Sequence, residues 1–495
     1  MTRRAVVAVT ASSVLAAVVA AAPPAPASPV TGSRAVVAPA LLDAAAVGPA
    51  PAVLTWDRRV TDADAVRAHL EAADVDATVL DGLPVAFACA GGLGDVELLA
   101  RVPGALSVWG EEELEPAGHA VAEATGAPAL PELGVDGTGL SLAVVDTGVD
   151  GRHQELAGDL RSNVRVLVSH REVLGPGDPP PCQDLYTAEL TDSEVASGHG
   201  THLAGVAAGT GVAPQARIVG VGVSDAVTVD TDVRDSTRLS MFGALAGLNH
   251  ALLAGLETDH PVKSVLGGWA GKGLQNPFHP ISLGIRDLHD FGITVVLPIG
   301  NGGPAASDCS AAATCTVSPY AVGGFAVGVA ATSASDSTRL ASFSSRGDQT
   351  PRTSEGLPVV YEPLLSAPGE GVLGPRRVGT ANVATAPTGP SAGGGTPTAP
   401  STDPHHVAMS GTSVAAAHVA GAVVLMQEAA YRSTGCYLPT AEVRRLLAET
   451  AAPMAHPRHE AGAGSLDVAA AVAAARAAVP PKPNDRFLCP RPGGS

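Results

Sequence analysis

The stretch Met409-Ser410-Gly411-Thr412-Ser413-Val414-Ala415-Ala416-Ala417-His418-Val419-Ala420-Gly421 sets a serine between a Gly-Thr turn and a run of small residues that reads as a helix. At a helix start the backbone amides lack acceptors within their own helix, and the dipole favours negative charge. Taken alone, Ser413 is an N-cap serine as readily as a nucleophile. Two upstream segments change that. Val144-Val145-Asp146-Thr147-Gly148 is an apolar run ending in a carboxylate, and Gly198-His199-Gly200-Thr201-His202-Leu203-Ala204-Gly205 carries a histidine between two glycines. An acid, a base and a nucleophile are what acyl transfer through a serine requires.

The three motifs resemble those of the subtilisin-like serine peptidases (subtilases), in the family's chain order Asp…His…Ser. No Gly-x-Ser-x-Gly elbow surrounds Ser413, and the order is not that of the chymotrypsin type. The resemblance implies Ser413 as nucleophile, His199 as general base and Asp146 as the group that orients it. Gly300-Asn301-Gly302, after Val295-Val296-Leu297, resembles the family's oxyanion donor; the bland alternative is an Asn-Gly turn. Val265-Leu266-Gly267-Gly268 resembles the strand that binds peptide through its backbone, with Pro298 and Gly300 in the facing wall of the pocket. A serine is usual where Val265 stands, a small residue where Pro298 stands, and a proline where Ala417 stands. Proline is bulky and lacks an N–H, so a shallower, altered pocket is expected. His202 is expected to be structural, Asp150 a turn residue, and His153-Gln154-Glu155-Leu156 a structural segment.

Lys+Arg 30 against Asp+Glu 48 gives a formal net charge of −18. An acidic balance argues against nucleic acid or an anionic membrane as the main partner. Arg3 and Arg4, the apolar run Ala5 to Ala22 and the small-x-small site Ala25-Pro26-Ala27 read as a secretory signal over 1–27, with a faint twin-arginine flavour in Thr2-Arg3-Arg4. A secreted protein without a lasting anchor is expected, since the late apolar segment Val468–Val479 is too short to span a bilayer and carries Arg476. The six cysteines, Cys89, Cys182, Cys309, Cys315, Cys436 and Cys489, suit disulfides in an exported chain. Spacing does not fix their connectivity; Cys309 with Cys315 and Cys436 with Cys489 are expected, which leaves Cys89 and Cys182. No Cys/His cluster has metal-ligand spacing. No cofactor is expected, and Asp225…Asp230-Thr231-Asp232…Asp235 reads as a solvated acidic loop, leaving structural calcium unassigned.

The chain divides into an Ala/Val/Pro-rich linker over 28–50, expected to be disordered, a compact α+β unit over 51–118, and a large domain over 119–478 with a Gly/Pro/Thr-rich flexible insertion at 381–404 and a tail at 479–495. In the small unit, strands are expected at Val53-Leu54, Val85–Ala88 and Ala105–Trp109, and helices at Asp62–Ala73, capped by Thr61 or Asp62, and Asp95–Arg101. Its end, Leu98…Val102-Pro103-Gly104-Ala105…Val108, resembles a subtilase inhibitory propeptide. In the large domain apolar strands (Leu142–Val145, Ala216–Val223, Val262–Leu266, Ile293–Leu297, Phe325–Ala331) alternate with helices (His199–Ala208, Thr237–Leu256, Ile281–Phe291, Val414–Ala429). That alternation predicts an α/β, three-layer, subtilisin-like fold around a mostly parallel sheet, with the site at the C-terminal strand edge.

The function expected is that of a monomeric secreted serine endopeptidase, made as a zymogen, with polypeptide substrates and its own propeptide as partner. The alternative is a subtilisin-fold pseudoenzyme that binds or scaffolds, favoured by the departures at Val265, Pro298 and Ala417 but opposed by four intact chemical residues.

Overall fold

The computed structural model describes residues 35–116, 119–121, 134–170, 183–194, 197–224, 239–303, 307–377, 404–481 and 487–490. The signal segment, the acidic run Asp225…Asp235 and all but the last residue of the 381–404 insertion lie outside the described residues.

The apolar runs of the large domain assemble into one eight-stranded sheet in the order Gln183–Glu189, Leu160–His170, Arg217–Gly222, Ser141–Asp146, Val262–Gly267, Thr294–Pro298, Val327–Ser333, Leu365–Glu370. Every neighbouring pair is parallel except the first, which is antiparallel. Side chains alternate between two cores, as a pleated strand requires. Leu142 and Val144 join Leu203, Val414 and Val419 on one face, while Ala143 and Val145 join Phe242, Leu245 and Leu248 on the other. Helices Met241–Leu256 and Pro280–Asp290 cover the second face, and His199–Ala207, Thr412–Thr434 and Val468–Ala477 the first. A strand covered on both faces reads as a continuous apolar run, which is why these were visible in the sequence.

Helix Thr412–Thr434 is long and apolar enough to cross a membrane, yet its apolar stretch is wholly buried in the core and only its last turn, with Arg432, reaches the surface. Its small residues allow close crossing: a Cβ on Gly421 would stand 2.5 Å from the carbonyl oxygen of Ala207.

The small unit has a five-stranded sheet, in the order Val36–Val37, Ala105–Gly110, Ala50–Trp56, Val85–Ala90, Ala77–Val79, with helices Pro39–Val47, Ala63–Ala72 and Leu93–Ala100. Asp62 caps the second helix by accepting from Ala65 N. One sheet face packs on the unit's own core around Leu54, Trp56, Leu70 and Leu99. The other lies on the large domain, where the rings of Phe87 and Phe242 are 4.8 Å apart. Arg58 pairs with Asp287 at 2.7 Å, and Asn249 Oδ1 accepts from the amides of Gly82 and Leu83 at 2.8 Å each.

The expected disordered linker over 28–50 is corrected: from residue 36 it is strand Val36–Val37 and helix Pro39–Val47, which buries Leu41 and Ala45 against the small unit's core. Tertiary contact, not local propensity, orders that helix. The tail also departs from a free end, since Leu488 is buried and its carbonyl accepts from Tyr437 N at 2.6 Å. Disulfides join Cys309 to Cys315 and Cys436 to Cys489. Cys89 is disulfide-bonded as well, and Cys182 lies outside the described residues.

Candidate active site

Three elements meet at the C-terminal rim of the sheet. Asp146 ends strand Ser141–Asp146, His199 opens helix His199–Ala207 behind a left-handed Gly198 (φ 77°), and Ser413 lies in the first turn of helix Thr412–Thr434. Asp146 Oδ1 is 2.7 Å from His199 Nδ1, and His199 Nε2 is 2.9 Å from Ser413 Oγ. With Nδ1–H donating to the carboxylate, Nε2 is left to accept the serine proton. Asp146 and Ser413 are 0 % exposed and His199 3 %, so the set works out of water.

Burial disfavours the imidazolium of His199, but the charge and hydrogen bond of Asp146, with a further pull from Glu194, raise its pKa above the ordinary histidine value. His202 and His418 go the other way. Burial pushes His202 down to about 3 and His418 to about 4, and their ring nitrogens face the carbonyls of Val372 and Val414. Both are therefore neutral packing residues. Asp150 is turned to Arg152 at 3.1 Å and His153 to the carbonyl of His405, away from the triad.

Asn301 follows strand Thr294–Pro298, and its Oδ1 accepts from Thr412 N at 3.0 Å and Thr412 Oγ1 at 2.8 Å. Gly300, at φ 120°, lets the loop pass Thr316, whose carbonyl oxygen would be 2.8 Å from an added Cβ.

The segment expected to bind substrate divides between the sheet interior and the rim. Val265 and Leu266 are paired inside the sheet to Ser141–Asp146 on one side and Thr294–Pro298 on the other, while Gly267 pairs with Val145 alone, the register with Thr294–Pro298 ending at Leu266. Gly268 lies beneath the dyad instead: an added Cβ would be 2.3 Å from Asp146 Oδ2 and 3.0 Å from His199 Cε1. The backbone that accepts a further strand is Trp269–Ala270, anchored by Trp269 Nε1 donating to Val145 O at 3.0 Å. Pro298 is buried at the end of its strand, and the adjoining Ile299 O accepts from Ser318 N at 2.8 Å while Ser318 Oγ accepts from Gly271 N at 3.3 Å. Ser318 thus ties the edge at Gly271 to the edge at Ile299. Sequence reading missed Thr147, Thr412, Trp269 and Ser318, because each acts through hydrogen bonds set by the fold.

The chain itself supplies a strand to this rim. Glu113–Pro116 lies between Leu239–Ser240 and Trp269–Ala270, antiparallel to both, with Leu114 opposite Leu239 and Pro116 opposite Trp269. Two residues on, His119–Val121 pairs antiparallel with His406–Ser410, His119 opposite Ser410 and so three positions from Ser413.

The sequence profile of the Subtilase family matches residues 137–464. Fervidolysin of Fervidobacterium pennivorans is 29% identical over 334 residues, which is 64% of this chain and 38% of that protein. Subtilisin-like protease 3 of Pseudogymnoascus destructans is 31% identical over 192 residues, 38% of this chain and 39% of that protein. The chain thus matches well under half the length of these relatives. The crystal structure of fervidolysin, titled a keratinolytic enzyme related to subtilisin, superposes with a TM-score of 0.59 at 20% identity, covering 89% of this chain and 63% of that one, a likeness that carries the fold. With the family profile spanning the rim-forming strands and all three triad positions, the chain belongs to the subtilase family.

Proposed function

We propose that this chain is a secreted serine endopeptidase that is made with an N-terminal inhibitory unit and hydrolyses peptide bonds through an acyl-enzyme. The observation that carries the chemistry is the relay Asp146–His199–Ser413 at 2.7 and 2.9 Å. Ser413 Oγ attacks the scissile carbonyl as His199 Nε2 takes its proton, and Asp146 steadies the imidazolium. The tetrahedral oxyanion is held by the Asn301 side-chain amide and the Ser413 N–H at the helix start. His199 then gives the proton to the leaving amine, and water repeats the sequence on the ester.

Strand addition at Trp269–Ala270 supports an extended polypeptide as substrate. The same surface supports the zymogen: strand Glu113–Pro116 already occupies it, and Ser413 is fully covered. Strands Glu113–Pro116 and His119–Val121 pair with Trp269–Ala270 and His406–Ser410, which supports self-cleavage near this segment as the step that would free the rim. The signal-like N-terminus and the disulfides support an extracellular site of action.

Labelling with a fluorophosphonate, in wild type and Ser413→Ala, tests this together with N-terminal mass spectrometry. Labelling and a new N-terminus near 117–119, both absent in the variant, are expected; a folded wild type that never labels would instead make this a binding protein on a peptidase fold.

A further inference from the structure

We infer that Glu194 is a positioning residue of the catalytic dyad, acting through the hydroxyl of Thr147 to keep Asp146 Oδ1 committed to His199. The inference rests on the serine-peptidase reading above.

The Thr147 hydroxyl has one proton to give. It already accepts from Gly200 N at 3.0 Å. Two carboxylates compete for its proton: Glu194 Oε2 at 2.7 Å and Asp146 Oδ1 at 3.2 Å. The shorter contact takes it, so the hydroxyl points to Glu194. Asp146 Oδ1 then keeps two donors, Thr147 N and His199 Nδ1, each at 2.7 Å. Asp146 Oδ2 is buried without a hydrogen-bond partner, with Gly268 beneath it. A buried carboxylate with few donors depends more on the one that carries positive charge, so the imidazolium is stabilised.

Glu194 itself is 1 % exposed, on the segment before the His199 helix. Around it stand Asp192, whose Oδ1 accepts from Glu194 N at 3.0 Å, Arg152 bound to Asp192, Arg377 at 3.9 Å from Asp192, and Arg165, which donates to Ser193 O at 2.8 Å. His202, on His199's own helix, and His418, on the helix that carries Ser413, stay neutral. Among these groups Glu194 is the one joined to the triad by a shared hydroxyl. Removing its charge frees the Thr147 proton for Asp146 Oδ1, which disperses the Asp146 charge and makes His199 a weaker base.

Full-length Glu194→Gln is compared with wild type by the pH dependence of fluorophosphonate labelling. The acid limb is expected to move to lower pH by about half a unit or more, with labelling at low pH correspondingly faster relative to its own plateau. Thr147→Val has no proton to give to either carboxylate and leaves Asp146 Oδ1 its two donors, so its limb is expected to stay near that of wild type, and Glu194→Gln in that background to add little. A purely structural Glu194 would lower the melting temperature and leave the limb in place, and that outcome overturns the inference. A second readout needs no activity: the titration of His199 by imidazole nitrogen NMR in the Ser413→Ala background. A wild type that never labels defeats the peptidase reading, while an unmoved His199 titration in Glu194→Gln defeats the role of Glu194; the two failures are distinct.

Discussion

Thr412 holds the side-chain oxygen of Asn301 twice, through its amide at 3.0 Å and its hydroxyl at 2.8 Å. With Oδ1 so occupied, the Asn301 NH2 is the end turned outward, which is the end an oxyanion needs. Asn301→Ala is expected to lower kcat about 100- to 1,000-fold with little change in KM, since the lost bond forms fully only in the transition state. Thr412→Val keeps the amide but loosens its aim, and a smaller loss of roughly 10-fold is expected. Steady-state kinetics on one peptide substrate check both; a KM effect at constant kcat would place Asn301 in ground-state binding instead.

The covering strand makes a second prediction. Leu114 is 1 % exposed and packs in the same core cluster as Leu239 and Trp269. Leu114→Glu would bury an unpaired charge there, so the strand should lift. Faster fluorophosphonate labelling of the uncleaved Leu114→Glu chain than of the uncleaved wild type is expected. Equal rates would mean that Glu113–Pro116 does not guard the nucleophile.

Asp146, His199, Ser413 and Asn301 were legible because each sits in a short motif whose neighbours must be small: Gly200 lies 3.1 Å, from an added Cβ, to Asp146 Oδ1. The central strands were legible from apolar runs covered on both faces. The point at which strand Val262–Gly267 leaves the sheet was not legible, because an apolar run does not mark it. That point is set by packing: a Cβ on Gly267 would meet Leu297 Cδ2 at 2.7 Å. Leu160–His170 escaped notice because it carries buried Asn163 and Arg165, which look like loop residues. The fold satisfies them, with Asn163 Nδ2 donating to Val149 O at 2.9 Å and Arg165 to Ser193 O at 2.8 Å. Helix Pro39–Val47 was illegible for the opposite reason, having little amphipathic pattern of its own.

Acid stability follows from His202 and His418. Their ordinary pKa is 6.5, and burial lowers them in the folded chain to about 3 and about 4. Between those values and 6.5 the unfolded chain binds protons that the folded chain does not, so stability falls as pH falls. The loss begins near pH 6.5 and ends, for each group, at its folded value. Denaturant melts of Ser413→Ala, which cannot digest itself, should show stability dropping across pH 6.5 to 4. Adding His418→Gln should flatten that slope by up to one proton's worth; an unchanged slope would mean that His418 is charged in the fold.

The last prediction concerns the residue accepted on the acyl side of the scissile bond. Ser318 bridges the edges at Ile299 and Gly271, which would flank that position in the proposed binding mode, by Ser318 N to Ile299 O at 2.8 Å and Gly271 N to Ser318 Oγ at 3.3 Å. Ser318 is 1 % exposed, and the Tyr320 ring crowds Gly271, with Cε2 2.2 Å from where a Cβ would stand. Space between the edges is therefore short, and Pro298 stiffens one of them. Small acyl residues are expected, which agrees with Ala117 and Gly118 being what the chain offers between Pro116 and His119. A peptide library read by mass spectrometry should show cleavage mainly after Ala, Gly or Ser. Ser318→Gly removes the bridge and should raise kcat/KM for Leu and Phe at that position by about 10-fold, the worth of one to two methylenes in a hydrophobic pocket. Wild-type cleavage that favours Phe or Tyr would show that the edges part on binding and that Ser318 does not limit the pocket.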